Sequence, residues 1–269
     1  MKNQKQRAAH PANAGDSMKE SWELITRGSA VDFVDALERE ALDHPAVHHP
    51  FLTGIASGAL PDVESSLRDY AFQYACYSRE FPNYLISVIE NLESPIHRAA
   101  LLENLAEEQG DPSSDRLDRM PHTELFARFQ RAIGIDDAYR RSNRVMTTVE
   151  IWRDLALQKS RSQKIGVSIG AIGIGTEFIV PTIYTYLLEG IRKFTKLAED
   201  DYFFFTLHAQ CDQEHAADLR RISIDIADGV DDREALRFGV FSTLNLRKAF
   251  FDIMLSRAMD QASGDSLEY

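Results

Sequence analysis

The run from Ile165 to Leu188 constrains this chain more than any other segment, because it is long, apolar, and carries one charged residue, Glu177. A stretch without a polar face is either a membrane span or a helix buried on all sides. A carboxylate at mid-bilayer is costly, so we read the run as the central helix of a helical core. Pro181 lacks the N–H that would bond the carbonyl of residue 177, so the helix should kink at the glutamate. Gly166, Gly170, Gly173 and Gly175 read as close helix packing. No Gly-Lys-Ser/Thr follows them, so they form no phosphate loop.

The helical period holds nearly everywhere else. Apolar spacing predicts helices over Val31 to Leu42, from Pro61 through Tyr70, Tyr74 and Tyr77 to a break near Phe81-Pro82, and over Asn83 to Leu92 and Pro95 to Glu108. After a polar loop at Gly110 to Arg119, further helices are expected at His122 to Ile133, Asp136 to Leu157, Lys164 to Lys193, Asp200 to Ile226 and Asp231 to Met259. No strand run, internal repeat or linker interrupts them. The expectation is therefore an all-α chain: a lead-in over 1–17, one helical domain over 18–262 and a frayed tail over 263–269.

A formal net charge of -12, with no local cluster of Lys and Arg to offset it, disfavours nucleic acid as a partner. Two cysteines, Cys76 and Cys211, make no disulfide framework in 269 residues. A reducing, cytoplasmic location follows as the default. The first residues carry charge with no apolar stretch behind them, so no secretory signal and no membrane role are expected.

The segment Leu207-His-Ala-Gln-Cys-Asp-Gln-Glu-His215 places His208, Asp212 and His215 at spacings of four and three. On a helix these share one stripe, within about 60° of one another. The stripe extends to Phe204, Phe205 and Leu219, so it is the buried face, where unpaired charge is costly. Imidazoles and a carboxylate converging there suit iron, whose sites mix nitrogen and oxygen ligands. Glu177 adds a carboxylate that needs a cation or a proton.

In Leu101-Leu-Glu-Asn-Leu-Ala-Glu-Glu-Gln-Gly110, Glu108 continues the stripe of His97, Leu101 and Leu105, while Glu107 follows Glu103 and Asn104 on a more polar side. Phase favours Glu108 as the inward carboxylate without excluding Glu107. His122 shares a face with Phe126, Phe129 and Ile133. Three carboxylates and three imidazoles are too many for one catalytic metal with open positions, and fit two irons sharing a carboxylate. His44, His48 and His49 lie beside prolines, where helix ends and turns are expected, and read as structural. Cys211 is turned about 100° from the stripe. Tyr70, Tyr74 and Tyr77 read mostly as core, with one available to line a pocket.

At these residues the sequence resembles the haem-oxygenase-like di-iron oxidases, relatives of the TenA and pyrroloquinoline-quinone synthase proteins. The resembling parts are Asn104-Leu-Ala-Glu-Glu-Gln-Gly110, Pro121-His122, Gly175-Thr-Glu177 and the helix of His208, Asp212 and His215. The resemblance implies a seven-helix up-and-down bundle with extra terminal helices, often dimeric. It implies metal ligands Glu108, His122, Glu177, His208, Asp212 and His215, with Glu108, Glu177 and Asp212 taking part in catalysis. It further implies two iron ions, O₂ as co-substrate, an external electron donor, and a small-molecule substrate undergoing N-oxygenation, desaturation or oxidative C–C cleavage. Buried phenylalanines, Phe203 to Phe205 among them, would exclude water. Two other readings stand beside it: a metal-free enzyme of the TenA or quinone-synthase kind, and a non-catalytic helical interaction protein.

Overall fold

The computed structural model describes residues 27–263, except the side chains of 210–214 and 261–263. The expected lead-in over 1–17, and the tail beyond Ser263, lie outside the described residues. The described chain is helical with no strand: α1 Ala30–Leu42, α2 Pro50–Ser57, α3 Val63–Ser78, α4 Phe81–Asn91, α5 Pro95–Gln109, α6 His122–Ala132, α7 Asp137–Ser142 and α8 Thr147–Ser160. There follow α9 Ile165–Ile172, a π-helical turn Gly173–Glu177, α10 Val180–Phe194, α11 Phe203–Ile226 and α12 Val230–Ser263.

The apolar segment behaves as its composition demands. Ile165–Phe194 is long and apolar enough to cross a membrane by composition, yet 78% of its most apolar window is buried inside the fold. Its α9 half lies along α12, where a Cβ on Gly170 would run into the carbonyl oxygen of Leu236. A Cβ on Gly239 would likewise meet Val167 O. Glycine on both helices lets the two backbones approach this closely.

The kink falls where expected, and its form is a π-turn: Phe178 N–H donates to Gly173 O at 3.1 Å, five residues back. Thr176 Oγ1 donates to Ala171 O at 2.9 Å. Pro181 then sits in the first turn of α10, where its missing N–H is harmless. Glu177 is the last residue of the π-turn and is buried with the rest of it.

Three boundaries depart from the periodicity. Pro50–Ser57 is a helix where only proline-flanked turns were expected; His49 caps it, Nδ1 accepting from Phe51 N–H at 3.2 Å. His49 also ties α2 to Asp252 on α12 at 3.0 Å, and His44 accepts from Ala46 N–H. Phe81 and Pro82 open α4 rather than ending α3, since proline is tolerated in a first turn. The helix expected from Asp136 to Leu157 is broken after Ser142. Buried Gln73 on α3 breaks it: its amide donates to Arg144 O at 3.0 Å and accepts from Met146 N–H at 2.9 Å. A side chain distant in sequence thus satisfies backbone groups that helix continuation would have used.

The core is strongly aromatic near the kink. Phe126, Phe129, Phe205, Tyr184, Tyr74 and Trp152 are all buried. Phe129 and Phe205 meet edge-to-face at 4.8 Å, the arrangement that the ring quadrupole favours. α6 and α3 run antiparallel in this region. Arg68 bonds Ile133 O, Gln130 bonds Ala71 O and Tyr74 packs on Phe126.

Candidate metal centre

Glu108 sits in the last turn of α5, just before Gly110 reverses the chain at φ 50°, a conformation suited to glycine. A Cβ at Gly110 would collide with the backbone of Arg119 and Met120. The loop is closed by Asp111 N–H donating to Arg119 O at 2.6 Å. This closure brings His122, the first residue of α6, back beside Glu108: His122 Nδ1 lies 3.0 Å from Glu108 Oε1. Burial leaves Glu108 only 6% exposed, and His122 is buried with it.

His208 completes the group from α11. Its Nδ1 lies 2.7 Å from Phe204 O, so the Nδ1–H tautomer donates to that carbonyl and Nε2 faces Glu108 Oε1 at 3.8 Å. A ring N–H fixed by a backbone carbonyl is how proteins orient an imidazole ligand. One donor atom from each of Glu108, His122 and His208 lies within 4.8 Å of the others, and all three residues are buried. The two rings meet at 4.6 Å between centroids.

The electrostatics are those of a cation site. Burial opposes ionisation of Glu108, but the imidazoles of His122 and His208 outweigh it and hold the carboxyl far below the usual range. Glu177, 4% exposed, is pushed the other way, to about 7, first by burial and then by the charge of Glu108. His215 and His208 oppose that rise, and the amide of Asn104, 3.4 Å from Oε1, adds a hydrogen bond. Two carboxylates close together in a dry core cannot both ionise without added positive charge.

The residues present fit a metal by a direct observation. His122 Nδ1 is buried and has no hydrogen-bond partner, although Glu108 Oε1 is 3.0 Å away. The contact is close enough for a hydrogen bond but poorly aligned for one. Orphaned buried nitrogens are rare and call for a reason.

The six expected residues are not all placed alike. Glu108, His122 and His208 come together, and Glu177 lies within electrostatic reach of Glu108, His208 and His215. His215 is buried, with Nε2 3.0 Å from Glu107 Oε2, and that glutamate is 58% exposed. Glu107 is therefore at the rim while Glu108 is inside. Asp212 and Cys211 lie outside the residues whose side chains are described. Asn104, assigned to the polar side of α5, is in fact buried; its i+4 relation to Glu108 was the signal that placed it inward.

Two cavities meet the cluster. One of about 190 Å³ reaches Glu108 and His122 along Phe72, Phe126 and Val145. The other, about 40 Å³, lies against Glu177, His208, Tyr74, Tyr77 and Tyr184. Phe204, which packs 4.2 Å from His208 between centroids, borders both. Cys76 is buried, and burial pushes its thiol up, with Arg153 only partly opposing it. That is the setting of an inert rather than nucleophilic cysteine.

The family model of iron-containing redox enzymes matches residues 68–248. A 4-aminobenzoate synthase of Chlamydia pneumoniae is 22% identical over 195 residues, covering 71% of this chain and 80% of its own. The 4-aminobenzoate synthase of Chlamydia trachomatis is also 22% identical, covering 71% and 79%. Among solved structures, a CADD-like protein from Nostoc punctiforme superposes with a TM-score of 0.67 at 13% identity, over 88% of this chain and 99% of that one. A domain with a heme oxygenase-like fold from Shewanella denitrificans gives 0.65 at 16% identity, over 88% and 95%. A TenA homologue from Pseudomonas syringae gives 0.65 at 15%, over 81% and 92%. These structural likenesses establish the haem-oxygenase-like all-helical fold.

Proposed function

The chain belongs to the iron-containing redox enzyme family, and from that premise we propose that Glu108, His122 and His208, with Glu177 and His215 beside them, hold iron that uses O₂ to oxidise a small molecule. The observation that carries this reading is the convergence of three buried donor atoms within 4.8 Å, one of them an imidazole nitrogen with no hydrogen-bond partner. Nitrogen and carboxylate donors together suit iron. With Asp212 the set reaches six, a number suited to two ions sharing a carboxylate, which is the di-iron form of the proposal.

When bound, iron would supply the one-electron and O₂ chemistry that protein side chains lack. The chain's own residues do the rest. The Phe204 carbonyl fixes the His208 ring so that Nε2 faces Glu108. Glu177 holds its proton below about pH 7 while no cation is near and gives it up when one binds, which offsets part of the added positive charge. Asn104 orients that carboxylate through Oε1. Phe126, Phe204 and Tyr184 wall the cluster, and a dry wall keeps a reactive site from side reactions with water. The substrate would enter by the cavity of about 190 Å³, below the ~300–1,000 Å³ usual for drug-sized ligands. Relatives named 4-aminobenzoate synthase support a small-molecule substrate. Electrons beyond those the substrate yields would come from an external donor.

Anaerobic loading with Fe(II), removal of excess and elemental analysis tests the proposal. Wild type should retain about two irons per chain by the donor count, and consume O₂ on exposure. His208→Ala and His122→Ala should each retain less. A wild-type protein that keeps no stoichiometric iron and leaves O₂ untouched would overturn it.

A further inference from the structure

The larger cavity has a polarity that the metal centre does not explain. It follows α6: His122, Phe126 and Gln130 all line it at i, i+4 and i+8, so the groove extends about 12 Å from the cluster at a rise of ~1.5 Å per residue. One end is acidic, with Glu108 beside His122. The middle is apolar, walled by Phe72, Phe126 and Val145. The far end carries Arg140, an exposed side chain held by its Nη2–H donating to Gln130 Oε1 at 3.2 Å. Gln130 is itself buried and pinned by its amide donating to Ala71 O at 2.8 Å. That leaves the remaining guanidinium N–H groups of Arg140 available. In a chain of net charge -12, Arg140 is in no ion pair among the described residues. Its guanidinium is thus held at the cavity's end by a buried amide and not by an acid.

We propose that this groove binds an amphiphilic organic anion lengthwise, its carboxylate on Arg140 and its apolar body along Phe72, Phe126 and Val145, with the opposite end delivered to Glu108 and His122. This deepens the proposed function, on which it rests for the identity of the reacting end. Charge complementarity sets the orientation: a carboxylate pointing the other way would meet Glu108, whereas at Arg140 it meets a fork of N–H donors suited to two oxygens. A cavity of about 190 Å³ suits a slender anion better than a nucleotide. Arg79 also borders the cavity, with its Nε–H donating to Ala75 O at 2.9 Å, and is the competing cation that the variants below separate from Arg140.

The test is binding, measured by calorimetry under nitrogen on the protein as purified, with 4-phenylbutyrate and its uncharged amide as probes. At low ionic strength the acid should bind about fivefold more tightly than the amide, the scale of one exposed charge-assisted contact. Raising the salt should shrink that preference. Arg140→Met should abolish it while leaving the affinity for the amide unchanged, and Arg140→Lys should keep part of it. Equal affinities in wild type, no saturable binding of either probe, or a preference that survives in Arg140→Met would each overturn the proposal. In the last case Arg79→Met would show whether the anion sits there instead. Iron content of the same preparations reports on the metal centre alone. Arg140→Met should leave it unchanged, so a wild type that binds the probes as expected but holds no iron fails the metal reading and leaves the groove assignment standing.

Discussion

Replacing Glu177 by glutamine should stabilise the metal-free protein above neutral pH and destabilise the iron-bound one. The carboxyl is 4% exposed and its folded-state value is raised from 4.5 to about 7 by burial and by Glu108. A raised acid takes up protons on folding, so its favourable contribution is complete below pH 4.5 and is lost as the pH climbs through 7. Each unit is worth ~1.4 kcal/mol, so the loss approaches about 3 kcal/mol at pH 8. Glutamine keeps the shape and can still accept from Asn104, but has no charge to bury. Metal-free Glu177→Gln should therefore match wild type at pH 4.5 and melt roughly 6–12 °C higher at pH 8, taking ~2–4 °C per kcal/mol for a chain of this size. Saturating Fe(II) should reverse the order, because a ligand that binds only the folded state adds RT ln(1 + [L]/Kd) and the variant has lost a donor. Thermal unfolding followed by circular dichroism, at both pH values, with chelator and then with Fe(II) under nitrogen, gives the four numbers required. A variant no more stable than wild type at pH 8 in chelator would refute the claim that this core holds a carboxylate in need of a cation.

Other predictions concern the scaffold and the cluster. Gly170→Ala drives a methyl into the Leu236 carbonyl and should cost at least 1–3 kcal/mol by overpacking, seen as a lower midpoint in denaturant. Lys159 has a buried amine without a hydrogen-bond partner, pulled down to about 8 by burial. A lowered base sheds protons on folding, so its destabilising effect is full below pH 8 and fades as the pH rises towards 10.5; Lys159→Met should raise the melting temperature at pH 7 more than at pH 10. Phe205→Ala removes a fully buried ring and should cost about 3–5 kcal/mol, measured by urea unfolding.

Much of this was readable from residue spacing. Helical phase favoured Glu108 as the inward carboxylate without excluding Glu107, and the structure has Glu108 buried and Glu107 exposed. A break at Glu177 was expected from the missing N–H of Pro181, and it is there, but as a π-turn closed by Phe178 N–H on Gly173 O, with Pro181 in the first turn of the next helix. What was not legible depended on partners far along the chain. Nothing near Asn143 announces that Gln73 will take up Arg144 O and Met146 N–H, so a helix was expected to run on. Asn104 was grouped with Glu103 on the polar side, and nothing near it announces that its amide will donate to Glu177 Oε1 from another helix at 3.4 Å. Arg140 carried no signal either, because its place at the end of the groove comes from Gln130 and Ala71.

Anomalous scattering at the iron edge, from crystals loaded with Fe(II) under nitrogen, tests the central claim most directly. The account predicts a strong peak within bonding reach of Glu108 Oε1, His122 Nδ1 and His208 Nε2. A second peak is expected nearby, between Glu177 and His215. Peaks confined to the surface, or none in protein whose fold is intact, would contradict the account and leave the buried cluster without the cation it is argued to hold.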